Sequence, residues 1–392
     1  MGHLEIPPEI GQVRDTLWAA GRPAYPVGGC VRDQLLGRTP GDYDMTTAAR
    51  PEEVMALFRR TVPTGLKHGT VTVLTGIGPV EVTTFRREGG YSDSRHPDAV
   101  AFDATLEEDL ARRDFTVNAM ALDRDGTVVD PFGGQADLAV GRIRCVGDPE
   151  ERFSEDALRM LRAVRFAAQL GFRMEPGLVR AVGRLAPRAA ALSAERVRTE
   201  LEKTICSPRP GGAEALFYLG LLERYGPGPV RPLEGLGRLP AEPLARWAGL
   251  CGALDRDPEP FLTALRLEGR IVRACGGGFR IWRAGLPEHP ADWRRALADQ
   301  GTEAVRAAVW MAFTAGEDRR DELERTIAQG GCRSVKDLPV TGGELAALGW
   351  NGPAIGAVQR RLLDHVLERP EDARRDHLLA LLERWKKEER TK

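Results

Sequence analysis

Cysteine is scarce and scattered in this chain of 392 residues: Cys30, Cys145, Cys206, Cys251, Cys275 and Cys332 form no Cys-x-x-Cys pair. That spacing argues against structural zinc and against a disulfide framework, and it fits a reducing compartment. An excess of charge of one sign is also lacking. Lys and Arg number 56 against 57 Asp and Glu, a formal net charge of −1, so no global basic field announces nucleic acid and only a local stripe could serve it. No run approaches the ~18 apolar residues of a membrane span. The N-terminal MGHLEIPPEIGQVRDTLWAAG has no basic region followed by an apolar core, which makes a cytoplasmic protein the expectation. Aromatics are only 6% of residues, whereas Ala, Leu, Arg and Glu dominate beyond residue 150 and predict helices there.

What is present describes a folded chain of several parts. Hydrophobic residues at 42% with 29% charged are the composition of a folded protein, and 392 residues exceed one ordinary core. Ile10, Val13 and Leu17 mark a short amphipathic helix that stops at Gly21. AYPVGGCVRDQLLG reads as strand, glycine turn and helix, EEVMALF as a helix, and TVTVLTGIGPVEVTTF as a hairpin around Gly-Pro. Residues 22–145 are therefore expected to be a mixed α/β unit with hairpin strands rather than βαβ repeats. From EERFSEDALRMLRAVRFAAQLGF onward the pattern is helical almost without interruption, with loops at SPRPGGA, GPGPVRPLEGLG and LPEHPAD.

The chemistry concentrates in GGCVRDQLLGRTPGDYDMTT, residues 28–47. Asp42 and Asp44 are two apart, so on an extended strand both carboxylates project from one face. Two carboxylates that close repel unless a cation lies between them, and a hard divalent ion such as Mg²⁺ suits oxygen ligands. Two such ions can serve phosphoryl transfer from a nucleoside triphosphate. The same Asp-x-Asp also occurs as plain turn chemistry after Gly41. The metal reading gains from the upstream GGCVRD: Gly28 and Gly29 let backbone N–H groups approach phosphate oxygens, and Arg32 can add charge-assisted bonds. Glu81 in VEVTTF is either a third ligand or a solvent-facing strand residue.

GGCVRDQLLGRTPGDYDMTTAARPEEV, RRDFTVNAMAL (112–122) and EDALRMLRAVRFAAQLGF (155–172) together resemble the bacterial class II tRNA nucleotidyltransferases, the CCA-adding enzymes and their poly(A) polymerase relatives. LPVTGGELAALGWNGPAIGAV (338–358) is similar to that family's tail segment, departing from its pattern at TGGEL. The resemblance implies an α+β fold: a polymerase β-type head with a small mixed sheet at residues 1–145, then all-helical parts, a base-recognising neck at 146–205, a body at 206–320 and a tRNA-binding tail at 321–392. It implies that Asp42 and Asp44 hold catalytic Mg²⁺ and that Gly29, Arg32 and Arg113 contact the incoming nucleotide. The implied substrates are CTP, ATP and the acceptor end of tRNA, with Asp114 helping to sense the ribose hydroxyl. None of the six histidines is followed directly by aspartate, so the phosphohydrolase domain of some relatives is not apparent.

Arg159, Arg162 and Arg165 recur every third residue, sweeping an arc of about 120° on a helix, with Ala157, Met160, Leu161, Val164 and Ala168 opposite. One face should pack and the other should be basic, which on charge alone describes a solvated surface. Asp156, one turn before Arg159, adds an acceptor beside a planar donor. Cytosine and adenine present an exocyclic amine beside a ring-nitrogen acceptor; uracil and guanine present carbonyl beside N–H. An Asp/Arg pair would therefore take C and A and refuse U and G. The resemblance assigns that role to Asp156 and Arg159, puts Arg162 and Arg165 at the nucleotide, and makes Glu195 and Arg196 braces of the neck.

Three activities remain open: full CCA addition, addition of the terminal A alone, and poly(A) synthesis. REGGYSDSRHPDAVAFDATLEEDL stands where the family's flexible loop does, which argues against a C-only enzyme. A catalytically silent RNA-binding protein of the same fold is the alternative from another class, and the intact Asp42, Asp44, Asp156 and Arg159 speak against it.

Overall fold

The computed structural model describes residues 4–89 and 99–390. The chain divides into two compact units, Met1–Pro227 and Gly228–Lys392. Residues 90–98, the middle of the expected flexible loop, lie outside the described residues. Among the described residues no helix is long and apolar enough to cross a membrane.

In the first unit, α1 (Pro8–Ala19) opens on a proline, whose missing N–H would be unpaired there in any case. Its Ile10, Val13 and Leu17 are all buried, as their spacing predicts, and Gly21, at φ 74°, turns the chain toward β1 (Ala24–Val27). There follow α2 (Gly29–Leu35), β2 (Tyr43–Thr47), α3 (Pro51–Leu57), β3 (Thr61–Gly65), β4 (Thr70–Thr75) and β5 (Gly78–Thr84). β6 (Arg87–Gly89) and β7 (Ala99–Ala101) form a separate antiparallel pair. After α4 (Leu106–Ala111), β8 (Ala121–Leu122) and β9 (Val128–Val129) complete a seven-stranded sheet in the order β3-β4-β5-β2-β1-β8-β9. β2 and β5 pair in parallel and every other neighbouring pair in this sheet is antiparallel. The chain between β2 and β5 runs through α3 and the β3–β4 strands, which gives the length a parallel crossover needs.

Period-two alternation decides what the sheet offers to each side. Val80 and Val82 of β5 and Met45 of β2 join the core beneath α1, with Val71 and Val73 of β4. Asp44 therefore faces away from that core, and its register partner across β2–β5 is Glu81. The carboxylate face is the face the core does not use.

Past α5 (Gly134–Ala139) and β10 (Arg142–Ile143) the helices begin, and here the structure corrects the expectation of near-continuous helix. α6 (Pro149–Glu155) ends at Asp156, whose backbone is extended at φ −143° and ψ 107°, and α7 (Leu158–Leu170) starts two residues later. The Leu158 N–H donates to Asp156 Oδ1 at 3.0 Å, satisfying a donor that a new helix start leaves orphaned. Phe153, Ala157, Met160 and Leu161 are buried on both sides of the break, so apolar spacing runs through it and conceals it. β11 (Arg173–Met174) pairs with β10, and α8 (Pro176–Leu185), α9 (Ala194–Ile205) and α10 (Glu214–Tyr218) complete the unit, with α9 packed on α7.

The second unit is helical. α11 (Pro243–Leu254), α12 (Pro258–Ala264), α13 (Gly269–Ala284), α14 (Pro290–Gln300) and α15 (Thr302–Thr314) form its first half, followed by α16 (Arg320–Ala328), α17 (Gly342–Ala347), α18 (Pro353–Glu368) and α19 (Arg375–Arg390). α15 lies between α11 and α13, and small residues bring the backbones close. Gly276, Gly277 and Gly278 stand in mid-helix, where each costs about 1 kcal/mol relative to Ala. A Cβ on Gly278 would lie 2.7 Å from both Ala307 Cβ and Ala308 N, so the close approach offsets that cost. Gly278→Ala is expected to lower the urea midpoint despite better helix propensity, because overpacking of about 1–3 kcal/mol or more exceeds the propensity gain of about 1 kcal/mol. A midpoint that rose would show that the helices can separate at no cost.

Candidate active site

The two-residue interval between Asp42 and Asp44 puts both residues in the lining of a cleft of about 700 Å³ in the first unit. Nine of the residues singled out from the sequence line it, Gly29, Arg32, Asp42, Asp44, Arg113, Asp156, Arg159, Arg162 and Arg165, whereas Glu81 and Glu195 do not. Eight arginines (32, 86, 112, 113, 159, 162, 165 and 196) stand there against four aspartates (42, 44, 114 and 156). A chain whose formal net charge is only −1 thus concentrates cations in one cleft, as a polyanion site requires.

Asp44 is open to the cleft, yet the protein walls strip part of its water and Asp42 and Glu81 repel its charge, raising its carboxyl to about 6 against the pull of Arg113. An ionised Asp44 thus lacks a full counter-charge. Among the described residues no set of three or more His, Cys, Asp or Glu side chains is gathered closely enough to hold a metal ion, and Glu81 is the register partner of Asp44 across β2–β5. Two carboxylates suffice for a hard cation that takes its remaining oxygens from substrate phosphates and water, and on this chemistry the residues fit a divalent metal.

Gly28 makes the turn between β1 and α2 at φ 79° and ψ −124°. A Cβ there would lie 3.0 Å from Arg113 Nη1. Arg113 is held by Asp109 at 3.5 Å, burial pushes it below the usual guanidinium value, and its Nε is buried without a hydrogen-bond partner. Gly28→Ala should cost about 1–3 kcal/mol of stability through strain alone and displace Arg113. Thermal melting with CTP titration checks both effects; unchanged CTP affinity would sever the turn from the site.

Arg32 Nη1 donates to Asn118 Oδ1 at 2.6 Å and Nε to Asp33 at 2.8 Å, which draws α2 toward the segment after RRD. Asp114 is buried: Arg162 donates to its Oδ2 at 2.7 Å, and the Phe115 N–H to its Oδ1 at 2.8 Å. Burial opposes its ionisation, but Arg162 prevails and holds it below the usual carboxylate range. Its observed partners make Asp114 an anchor of Arg162, a link that a ribose-sensing role did not anticipate.

The arginines of α7 do not form the solvated face that their spacing suggests. Arg159 and Arg165 are buried, Arg165 against Glu200 of α9 at 2.5 Å. Arg159 donates to Glu155 at 2.5 Å and to the Arg112 carbonyl at 3.1 Å. Asp156 accepts from Arg196 of α9 at 2.7 Å. Arg196 does brace the chain, as the resemblance implies, but it also lines the cleft; Glu195, beside it, is exposed. His68, Arg86, Arg112, Asn118, Phe166 and Gln169 line the cleft without having been singled out. Arg112, as the first arginine of RRD, was the one most open to being found.

Residues 24–144 match the family described as the poly A polymerase head domain, and residues 171–228 match the probable RNA and SrmB-binding site of polymerase A. With the sheet and cleft described above, these matches define the class, a nucleotidyltransferase. The chain is 42% identical over 364 residues to the CCA-adding enzyme of Geobacillus thermodenitrificans, covering 88% of each, and 38% identical to that of Limosilactobacillus fermentum, covering 89% and 90%. The crystal structure of Bacillus stearothermophilus CCA-adding enzyme in complex with CTP is similar at a TM-score of 0.81, with 33% identity, 99% of this chain and 100% of that one. The chain belongs to the CCA-adding enzyme family.

Proposed function

We propose that this protein adds C, C and A to the 3′ end of tRNA from CTP and ATP, without a nucleic-acid template, releasing pyrophosphate. The observation that carries the reading is the convergence, in one cleft, of the Asp42/Asp44 pair, the Asp156 and Arg159 side chains and an arginine lining. Asp42 and Asp44 would hold Mg²⁺, which when bound supplies charge neutralisation for the attacking hydroxyl and the departing pyrophosphate. Arg32, Arg113 and the peptide at Gly29 receive the triphosphate, Arg113 with its unpartnered Nε. Asp156 accepts from the exocyclic amine of C or A and Arg159 donates to the ring nitrogen. With Arg196 and the Leu158 N–H occupying two of the carboxylate's roughly four acceptor sites, Asp156 keeps capacity for a base. Arg162 and Arg165 complete the nucleotide-facing wall. All six cysteines are free, which accords with a cytoplasmic enzyme.

The test is incorporation of labelled CTP and ATP, separately and together, into tRNA ending at the discriminator base and into tRNA already ending in CC. Both substrates finishing at CCA and stopping is the expected result. Extension of the CC-ended tRNA alone would make this an A-adding enzyme. Unlimited A addition would favour the poly(A) reading, which the description of the matching head domain keeps in view. No incorporation, together with no Mg²⁺-dependent melting shift from CTP or ATP, would leave only an RNA-binding role.

A further inference from the structure

Three cleft arginines come from two helices, and each has an acceptor of its own. Arg32 of α2 pairs with Asp33 and Asn118, Arg162 of α7 with Asp114, and Arg165 of α7 with Glu200 and Gln169. What the three share is the ring of Phe166. Their guanidinium carbons lie 5.5, 5.4 and 4.0 Å from its centroid. Phe115 meets this ring edge-on, with centroids 5.7 Å apart and planes at 77°, which fixes its orientation.

We propose that Phe166 is a positioning residue for the incoming nucleotide, its π system gathering Arg32, Arg162 and Arg165 into one wall before the ligand arrives. The inference rests on the reading of the cleft as the nucleotide site. Like charges on neighbouring side chains repel, and guanidinium groups otherwise gain by reaching outward into water. An aromatic ring within about 6 Å attracts each cation through its quadrupole, an attraction no aliphatic residue of similar volume supplies. The ring also spans two parts of the sequence that must cooperate: Arg32 follows the glycine turn, whereas Arg162 and Arg165 follow the Asp156/Arg159 pair. A wall already gathered need not be ordered by the ligand, so its benefit falls on nucleotide affinity.

The decisive experiment keeps the shape of the side chain and removes its quadrupole. Phe166 is replaced in the full-length chain by mono-, di- and trifluorophenylalanine, and CTP and ATP are titrated calorimetrically with the melting temperature measured alongside. Affinity is expected to fall with each fluorine, by roughly 3- to 30-fold across the series, while the melting temperature stays level. In tRNA extension, KM should rise more than kcat falls. Phe166→Leu should lose nucleotide affinity and Phe166→Trp should recover part of it. Affinities that stay flat across the fluorinated series, or that fall only in step with the melting temperature, would reduce Phe166 to packing and overturn the inference. If the unsubstituted protein binds neither CTP nor ATP, the nucleotide reading itself falls, and this inference with it.

Discussion

The double variant Asp42→Ala, Asp44→Ala is expected to incorporate no CMP or AMP into tRNA, a fall on the order of 10⁴-fold or more if both ends of the phosphoryl transfer depend on metal held there. Gel analysis of labelled tRNA measures it, and incorporation within tenfold of wild type would remove both residues from the metal site. Nucleotide binding should suffer less than turnover, because Arg32, Arg113 and the α7 arginines remain. Stability should move the other way in chelator. Asp44 is raised from 3.8 to about 6, and a carboxyl raised in the folded state contributes stability below about pH 4 that is lost as pH rises through about 6. At pH 7 the ionised group therefore opposes folding. Asp44→Asn in chelator should melt above wild type at pH 7, with the gap closing by pH 4; a lower melting temperature at pH 7 would mean that the loss of hydration at Asp44 and its repulsion by Asp42 and Glu81 are compensated.

Asp156→Ala is expected to abolish discrimination against UTP while retaining part of the phosphoryl transfer. A bidentate polar pair commonly discriminates between bases by about 1–3 kcal/mol, so the CTP-to-UTP ratio in kcat/KM should drop roughly 5- to 150-fold. The variant also loses the acceptor for the Leu158 N–H and for Arg196, so melting curves must accompany the kinetics. Asp156→Asn sharpens the test: it preserves volume and one acceptor while adding an amide donor, which suits the uracil carbonyl. Equal losses with CTP, ATP and UTP in both variants would assign Asp156 to architecture alone.

Where sequence reasoning succeeded, the signal was local. Alternation in VEVTT placed Val80 and Val82 inside and Glu81 outside, and the spacing of Ile10, Val13 and Leu17 defined α1. Where it failed, long-range partners decided. The apolar period through Phe153, Ala157 and Met160 concealed the break at Asp156, because burial follows the path of the chain and not its hydrogen bonds. The α7 arginines looked solvent-facing because Asp114 and Glu200, which compensate Arg162 and Arg165, are 48 and 35 residues away in sequence. Arg112, Asn118 and Phe166 carried no motif spacing beyond the segments they sit in.

By itself the sequence determined the chemistry on offer: two carboxylates on one strand face, a glycine turn able to take positive φ, and an acceptor beside a donor. These follow from covalent spacing and backbone sterics, which act over a few residues. The tertiary structure alone decided which charges meet. Parallel pairing of β2 with β5 set Glu81 beside Asp44, α9 brought Glu200 to Arg165 and Arg196 to Asp156, and Phe166 drew arginines of α2 and α7 to one ring. Electrostatic and aromatic contacts depend on distance in space, and for residues this far apart in the chain only the fold sets that distance.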